Sequence, residues 1–209
     1  MPTQAPIRRD PRNTGKGIST HHGFTVIELM ISLAVLAIIT SLALPSYRTI
    51  LEKRQVTSGA EQLGAFLSSA QLESVKRNQF VAVNYQENGG AWCLGMRAGD
   101  SAAVDCDCTV TDPTAANACA LDGTLKVFNS SVLKYPDVLN SAAVGADDTI
   151  VYDPVRGLTQ GFETVKLELQ SVPEGIYALD VEVAVTGRVK ICSNAVADKD
   201  VPGYKECSA

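Results

Sequence analysis

A chain of 209 residues, 45% hydrophobic and 20% charged, holds one compact domain and an extra element rather than two large domains. A mean hydropathy of +0.06 excludes a multi-span membrane protein, and a net charge of −5 with a pI of about 5.0 argues against a general nucleic-acid coat. The basic residues are unevenly placed. Residues 1–23 carry Arg8, Arg9, Arg12 and Lys16 against Asp10 alone, and the remainder has 14 basic and 22 acidic residues, a balance of −8.

The first predicted element is "GFTVIELMISLAVLAIITSLALP", residues 23–45. After Glu28 come sixteen residues, 29–44, whose only polar members are Ser32, Thr40 and Ser41. Residues 24–44 as a helix measure roughly 31 Å, just enough to cross a bilayer core. A secretory signal has a shorter apolar stretch followed by small residues and a cleavage site. Here the helical pattern runs on past Pro45, so the apolar part is expected to be retained. Basic residues before it and acidic ones after it place the N-terminus in the cytoplasm and the rest outside. Glu28 is costly in lipid, at ~2.5–3.5 kcal/mol near a helix centre and less toward its end. Either it sits at the interface and marks the helix start, or it is paired in an assembly. A neighbouring chain cut just before Phe24 would offer an amine as the partner.

Residues 46–78 continue as an amphipathic helix. Val56, Ala60, Leu63, Leu67 and Ala70 recur at steps of four and three and form one apolar stripe. Glu52, Lys53, Arg54, Glu61 and Glu73 fall elsewhere, on a solvated face, and Lys76 and Arg77 in the last turn suit the helix dipole. Pro45 removes a backbone donor and is expected to kink the helix.

From residue 79 the period changes to two. "FVAVNY" alternates Val81, Val83 and Tyr85, "QENGG" reads as a turn, and "AWCLGM" as the returning strand. "RAGDSAAVDCDCTVTDPTAANACALDG" is small and polar with three cysteines and reads as a cross-linked loop. "TLKVF", "TIVYD", "TVKLELQ", "YALDVEVAV" and "RVKIC" are further short strands, with Gly175 and Gly187 at turns. A long helix followed by an antiparallel sheet is an α+β arrangement.

All six cysteines, Cys93, Cys106, Cys108, Cys119, Cys192 and Cys207, lie downstream of the apolar run, which points to disulfides in an oxidising compartment. Six cysteines allow fifteen pairings. Cys192 with Cys207 is favoured because both sit in the C-terminal tail. A zinc site around Cys106, Cys108 and Cys119 is the rival, but it lacks paired C-x-x-C knuckles.

The residues "GFTVIELMISLAVLAII" resemble the type III prepilin signal of type IV pilins and type II secretion pseudopilins. That resemblance implies cleavage by a membrane prepilin peptidase between Gly23 and Phe24, N-methylation of Phe24, and Glu28 as the assembly carboxylate. The downstream "LSSAQLESVKRNQFVAVN", "WCLG", "YDPVRG" and "TGRVKIC" resemble minor pilins of the GspH/FimT family. The implied organisation is a leader over 1–23, a transmembrane and assembly helix over 24–45, an amphipathic helix over 46–78 and a disulfide-containing antiparallel β domain over 79–209. The implied fold is pilin-like, with the long helix packed on the sheet. Implied partners are other major and minor pilins or pseudopilins and the cell inner membrane, with no cofactor.

Other chemistry finds little support. Both histidines, His21 and His22, lie in the expected leader, so a mature chain has none for a catalytic triad. No G-x-G-x-x-G or P-loop occurs. Asp105, Asp107 and Asp112 bring calcium to mind, which major pseudopilins often bind, but their spacing does not follow the D-x-D-x-D-G rule, and Asp198 and Asp200 are weaker still. "GRVK" places Arg188 and Lys190 on one strand face, with Lys199 and Lys205 beyond. Some FimT-like minor pilins bind DNA through a G-R-x-R patch. Lysine in place of the second arginine keeps the charge and loses the bidentate fork, and nearby Asp198, Asp200 and Glu206 oppose it. An ordinary solvated strand face is the simpler reading.

Overall fold

The structure is a computed structural model describing residues 23–88, 91–130, 138–143, 149–160, 165–170, 177–193 and 200–207, with backbone alone described at 42–46, 88, 138–143 and 165–170. The leader through His22, Gly175, Asp198 and Lys199 lie outside the described residues. The chain divides into two units, one ending at Leu44 and one beginning at Pro45.

One helix, α1 (Val26–Arg77), begins in the first unit and ends in the second. Thr25 starts it: its hydroxyl accepts from the Glu28 N–H at 3.2 Å and its carbonyl from the Leu29 N–H at 3.1 Å. The first is an N-cap bond that satisfies an otherwise orphaned donor, and the second is the first i→i−4 bond of the helix. At the other end Asn78 adopts a left-handed φ of 51°. The Asn78 N–H donates to Val75 and the Gln79 N–H to Ser74, the paired bonds of a Schellman cap. The expected helix end at Asn78 is thus the cap residue itself. Pro45 lies within α1, its side chain outside the description.

In the second unit the stripe Val56, Ala60, Leu63, Leu67 and Ala70 is fully buried, and Ser74 extends it by one more step. The Ser74 hydroxyl donates to the carbonyls of Gln71 and Asp153, so its burial leaves no unmet polar group.

Among the described residues ten strands follow: β1 (Phe80–Asn88), β2 (Ala91–Gly99), β3 (Ala120–Leu121), β4 (Thr124–Leu125), β5 (Val127–Asn129), β6 (Val138–Ala143), β7 (Thr149–Tyr152), β8 (Val165–Gln170), β9 (Ala178–Val183) and β10 (Val189–Ser193). They form two antiparallel four-stranded sheets, ordered β5-β2-β1-β7 and β10-β9-β8-β6, and the small hairpin β3-β4. Where one sheet was expected there are two. β1 also runs through Glu87 and Asn88, read from sequence as turn, because they pair with Trp92 and Ala91. The stretch "TLKVF" divides between β4 and β5.

The core joins the α1 stripe to Val81, Val83 and Tyr85 of β1, Trp92, Leu94 and Met96 of β2, and Leu179, Val181 and Val183 of β9. The other face of the first sheet is covered as well. Ala82 and Asn84 are buried there beneath the loop between β2 and β3. Asn84 donates to Asp105 and Thr149 and accepts from the Cys106 N–H. Cys93–Cys108 staples that loop to β2 and Cys106–Cys119 closes the loop on itself, with Cα separations of 6.0 and 5.0 Å. Gly95 makes this possible, since a Cβ there would stand 2.1 Å from Cys119 Sγ.

The tail returns to the second sheet through Cys192–Cys207. The Ser193 N–H donates to the Lys205 carbonyl, Val201 enters the core, and the Tyr204 hydroxyl donates to Glu61 on α1 at 2.9 Å. Burial and this bond push the Tyr204 hydroxyl up to about 12.

Candidate functional site

The first unit carries the expected processing and assembly residues. Phe24 is 82% exposed, and Ile27, Leu29, Ile31, Leu33, Leu36, Ile38 and Ile39 are exposed all around the helix. Two of the polar side chains within this run, Thr40 and Ser41, turn inward on the backbone. Thr40 donates to the carbonyls of Leu36 and Ala37, and Ser41 to that of Ile38. What the segment presents is therefore large apolar side chains around its whole circumference, a pattern found in helices buried in lipid or in a bundle. Glu28, in the first turn, is its one carboxylate. The N-terminal half of the helix dipole favours a negative charge there, which partly offsets the cost of placing it. Among the described residues no helix is long and apolar enough to cross a membrane. The described side chains of the apolar run end at Ser41, and the sequence continues it to Leu44.

Thr25 escaped the sequence reading, although Thr25 and Glu28 stand in the T-x-x-E spacing of a capping box. Gln71 escaped it too. Its amide donates to the carbonyls of Gly157 and Thr186 at 2.9 and 3.4 Å. Gly157 and Gly187 have φ values of 65° and 76°, and a Cβ on Gly187 would lie 2.0 Å from the Gly157 carbonyl. The "YDPVRG" and "TGRVKIC" segments thus meet over one helix side chain, a packing requirement rather than a chemical one.

The basic pair is separated in environment. Arg188 is exposed just before β10, whereas Lys190 pairs with the buried carboxylate of Glu182 at 3.6 Å. Lys190 therefore offers a phosphate little net charge. The acidic loop residues serve the loop. Asp107 and Asp112 each accept from the N–H and hydroxyl of the threonine two residues on, which lowers both carboxyls below the usual range. Asp105 accepts from Asn84. Among the described residues one set of potential metal ligands lies together, Asp180, Glu182, Cys192 and Cys207, but its two sulfurs form a disulfide and supply no thiolate. Cys106, Cys108 and Cys119 are likewise disulfide-bonded, so the zinc alternative lacks ligands.

The family described as "Type II transport protein GspH" matches residues 59–187, and the "Prokaryotic N-terminal methylation motif" matches residues 18–44. Two proteins of Pseudomonas aeruginosa named "Fimbrial protein" are each 32% identical over 60 residues, which are 29% of this chain and 39% of theirs. The chain thus spans about two fifths of the length of those relatives. Two crystal structures of the P. aeruginosa type IV minor pilin FimU overlap it at 14% identity. One has a TM-score of 0.44, covering 68% of this chain and 91% of that one, and the other 0.37, covering 65% and 90%. With more than half of its residues matched by the family, the chain belongs to the GspH family and carries, ahead of that domain, the N-terminal methylation motif of minor pilins and pseudopilins.

Proposed function

We propose that this chain is a minor subunit of a type IV filament, working by assembly rather than catalysis. The observation that carries this reading is the helix segment that presents large apolar side chains around its whole circumference with Glu28 in its first turn. Prepilin peptidase cuts between Gly23 and Phe24, removes the leader over 1–23 and methylates Phe24. The helix over 24–45 then waits in the inner membrane with the disulfide-bonded unit in the periplasm. Extraction into the filament moves the helix from lipid into a bundle of like helices. There Glu28 meets the methylated amine of a neighbouring subunit, and the unpaired carboxylate's cost in lipid, below the ~2.5–3.5 kcal/mol of a bilayer centre because Glu28 lies in the first turn, is relieved. The partners are other major and minor pilins, and a minor subunit primes or caps the fiber.

Similarity to two fimbrial proteins favours a pilus. The name of the matched family favours the equivalent subunit of a secretion pseudopilus, which uses the same physics. Pairing of Lys190 with Glu182 and the acidic balance speak against DNA as a partner. Glu28→Ala tests the mechanism: processing proceeds while incorporation into filaments falls. Normal incorporation of that variant contradicts it.

A further inference from the structure

Beside the tail, the second unit has an open groove of about 410 Å³ that neither processing nor helix assembly uses. Its floor is apolar, from Ile50 of α1 and Val201 and Pro202 of the tail, and its rim carries Lys53 and Arg54. The Lys53 ammonium sits over the Tyr177 ring, 4.8 Å from its centroid, which holds it in place without neutralising it. Arg54 is exposed, and among the described residues neither cation is paired with a carboxylate. The one acid in the lining, Glu61, already accepts from Tyr204. The groove is therefore apolar at its centre and basic at its edge, whereas residues 59–209 contain 11 basic and 20 acidic residues.

The same unit carries the converse surface. Residues 98–125 hold Asp100, Asp105, Asp107, Asp112 and Asp122 and no basic residue. Asp122 accepts from Arg77, Asp100 from Gln79 and Asp105 from Asn84, whereas Asp107 and Asp112 bond only within the loop. Both of those accept on Oδ1 from the threonine two residues on and are held ionised, and among the described residues Oδ2 of each is open. Val110 and Pro113 stand beside them, partly exposed, so the loop too sets apolar side chains among charges. Its two disulfides fix its shape before any partner arrives, which lowers the ordering cost of docking. The loop covers the face of the first sheet that α1 does not, so it cannot fill the groove of its own copy.

We propose that the loop over 107–113 of one copy docks in this groove of a second copy. Asp107 and Asp112 meet Lys53 and Arg54, and Val110 and Pro113 cover the apolar floor. Groove and loop are different surfaces, so the contact is heterologous and runs head to tail, an open form that can extend along a filament. It joins the second units of two copies and needs neither cleavage before Phe24 nor Glu28, so it is tested separately from the filament reading.

The test begins with zero-length carbodiimide cross-linking of isotope-labelled and unlabelled full chain, mixed in mild nonionic detergent, with the tryptic peptides read by mass spectrometry. The expected product is an amide joining Lys53 of one copy to Asp107 or Asp112 of the other, suppressed by about 0.5 M salt. Sedimentation equilibrium then measures the association. Lys53→Glu/Arg54→Glu and Asp107→Lys/Asp112→Lys should each weaken it about tenfold at low salt, and mixing the two variants should restore it. A native cystine map and an unchanged thermal midpoint establish that both variants are folded. The apolar helix is intact in each, so association through that helix would survive both charge reversals, and that result overturns the site. No cross-link between copies at this pair, association indifferent to salt, or a mixture that does not recover also overturns it.

Discussion

Gly95 stands where the outer face of β2 meets both disulfides of the loop. A methyl group on its Cα would lie 2.1 Å from Cys119 Sγ, 2.5 Å from Cys119 Cβ and 2.9 Å from Cys108 Cβ. Ordinary carbon contacts lie at ~3.5–4.0 Å, so Gly95→Ala demands a displacement of more than ~1 Å. Neither neighbour yields alone, because Cys119 is fully buried and tied to Cys106 while Cys108 is tied to Cys93 on the same strand as Gly95. Overpacking costs ~1–3 kcal/mol, and this doubly stapled position belongs at the upper end. At ~2–4 °C per kcal/mol for a unit of this size, the midpoint should fall by roughly 5–12 °C. Thermal unfolding followed by circular dichroism on the oxidised protein measures it, with non-reducing peptide mapping of the cystines. Gly123→Ala is the control for an added methyl with nothing within 4 Å, and it costs only ~1–2 kcal/mol, from its positive φ of 71° rather than from a clash. A Gly95→Ala protein with native pairing and a midpoint within about a degree of wild type would refute the packing argument.

Leu67→Ala, in the fully buried helix stripe, should cost ~2–5 kcal/mol in denaturant unfolding. Gly187→Ala should destabilise comparably, through the left-handed φ and the Gly157 carbonyl, and Gln71→Ala less, which the same titration resolves. Arg77 bonds both Glu73 and Asp122 and holds both carboxyls below their ordinary values. A lowered folded-state value contributes stability above the unfolded value that is lost as pH falls through the folded one. Arg77→Ala should therefore flatten the decline in stability below about pH 4.5, measured as midpoint against pH. Gly23→Leu should block processing because the peptidase subsite requires a small residue, and a fully cleaved variant seen by immunoblot contradicts this.

The periodic parts of the fold were legible in the sequence. Val56, Ala60, Leu63, Leu67 and Ala70 are buried as spaced, because a helix fixes which side chains share a face. Alternation likewise revealed β1, and short apolar runs marked β7, β8, β9 and β10. It did not reveal that Ala82 and Asn84 are buried too, since their cover is a loop with no period of its own. β6, "VLNSAA", has no alternation to read. Pairing among Cys93, Cys106, Cys108 and Cys119 depends on the loop folding back over β2, which spacing does not encode, whereas the closeness of Cys192 and Cys207 in the tail was informative. At the N-terminus the residues Gly23, Phe24 and Glu28 stood out from an otherwise apolar run, but Thr25 was visible only as a spacing. Gln71 binds carbonyls 86 and 115 residues away and leaves no local signal.

The central claim is that this chain is cut before Phe24 and built into a filament by its exposed apolar helix. Mass spectrometry of surface filaments sheared from the native cell, searched for the peptide that begins at Phe24, tests it most directly. A filament subunit yields that peptide, N-methylated, in the filament fraction. Its confinement to the inner-membrane fraction would favour a secretion pseudopilus, and a leader still attached in every fraction would contradict the account.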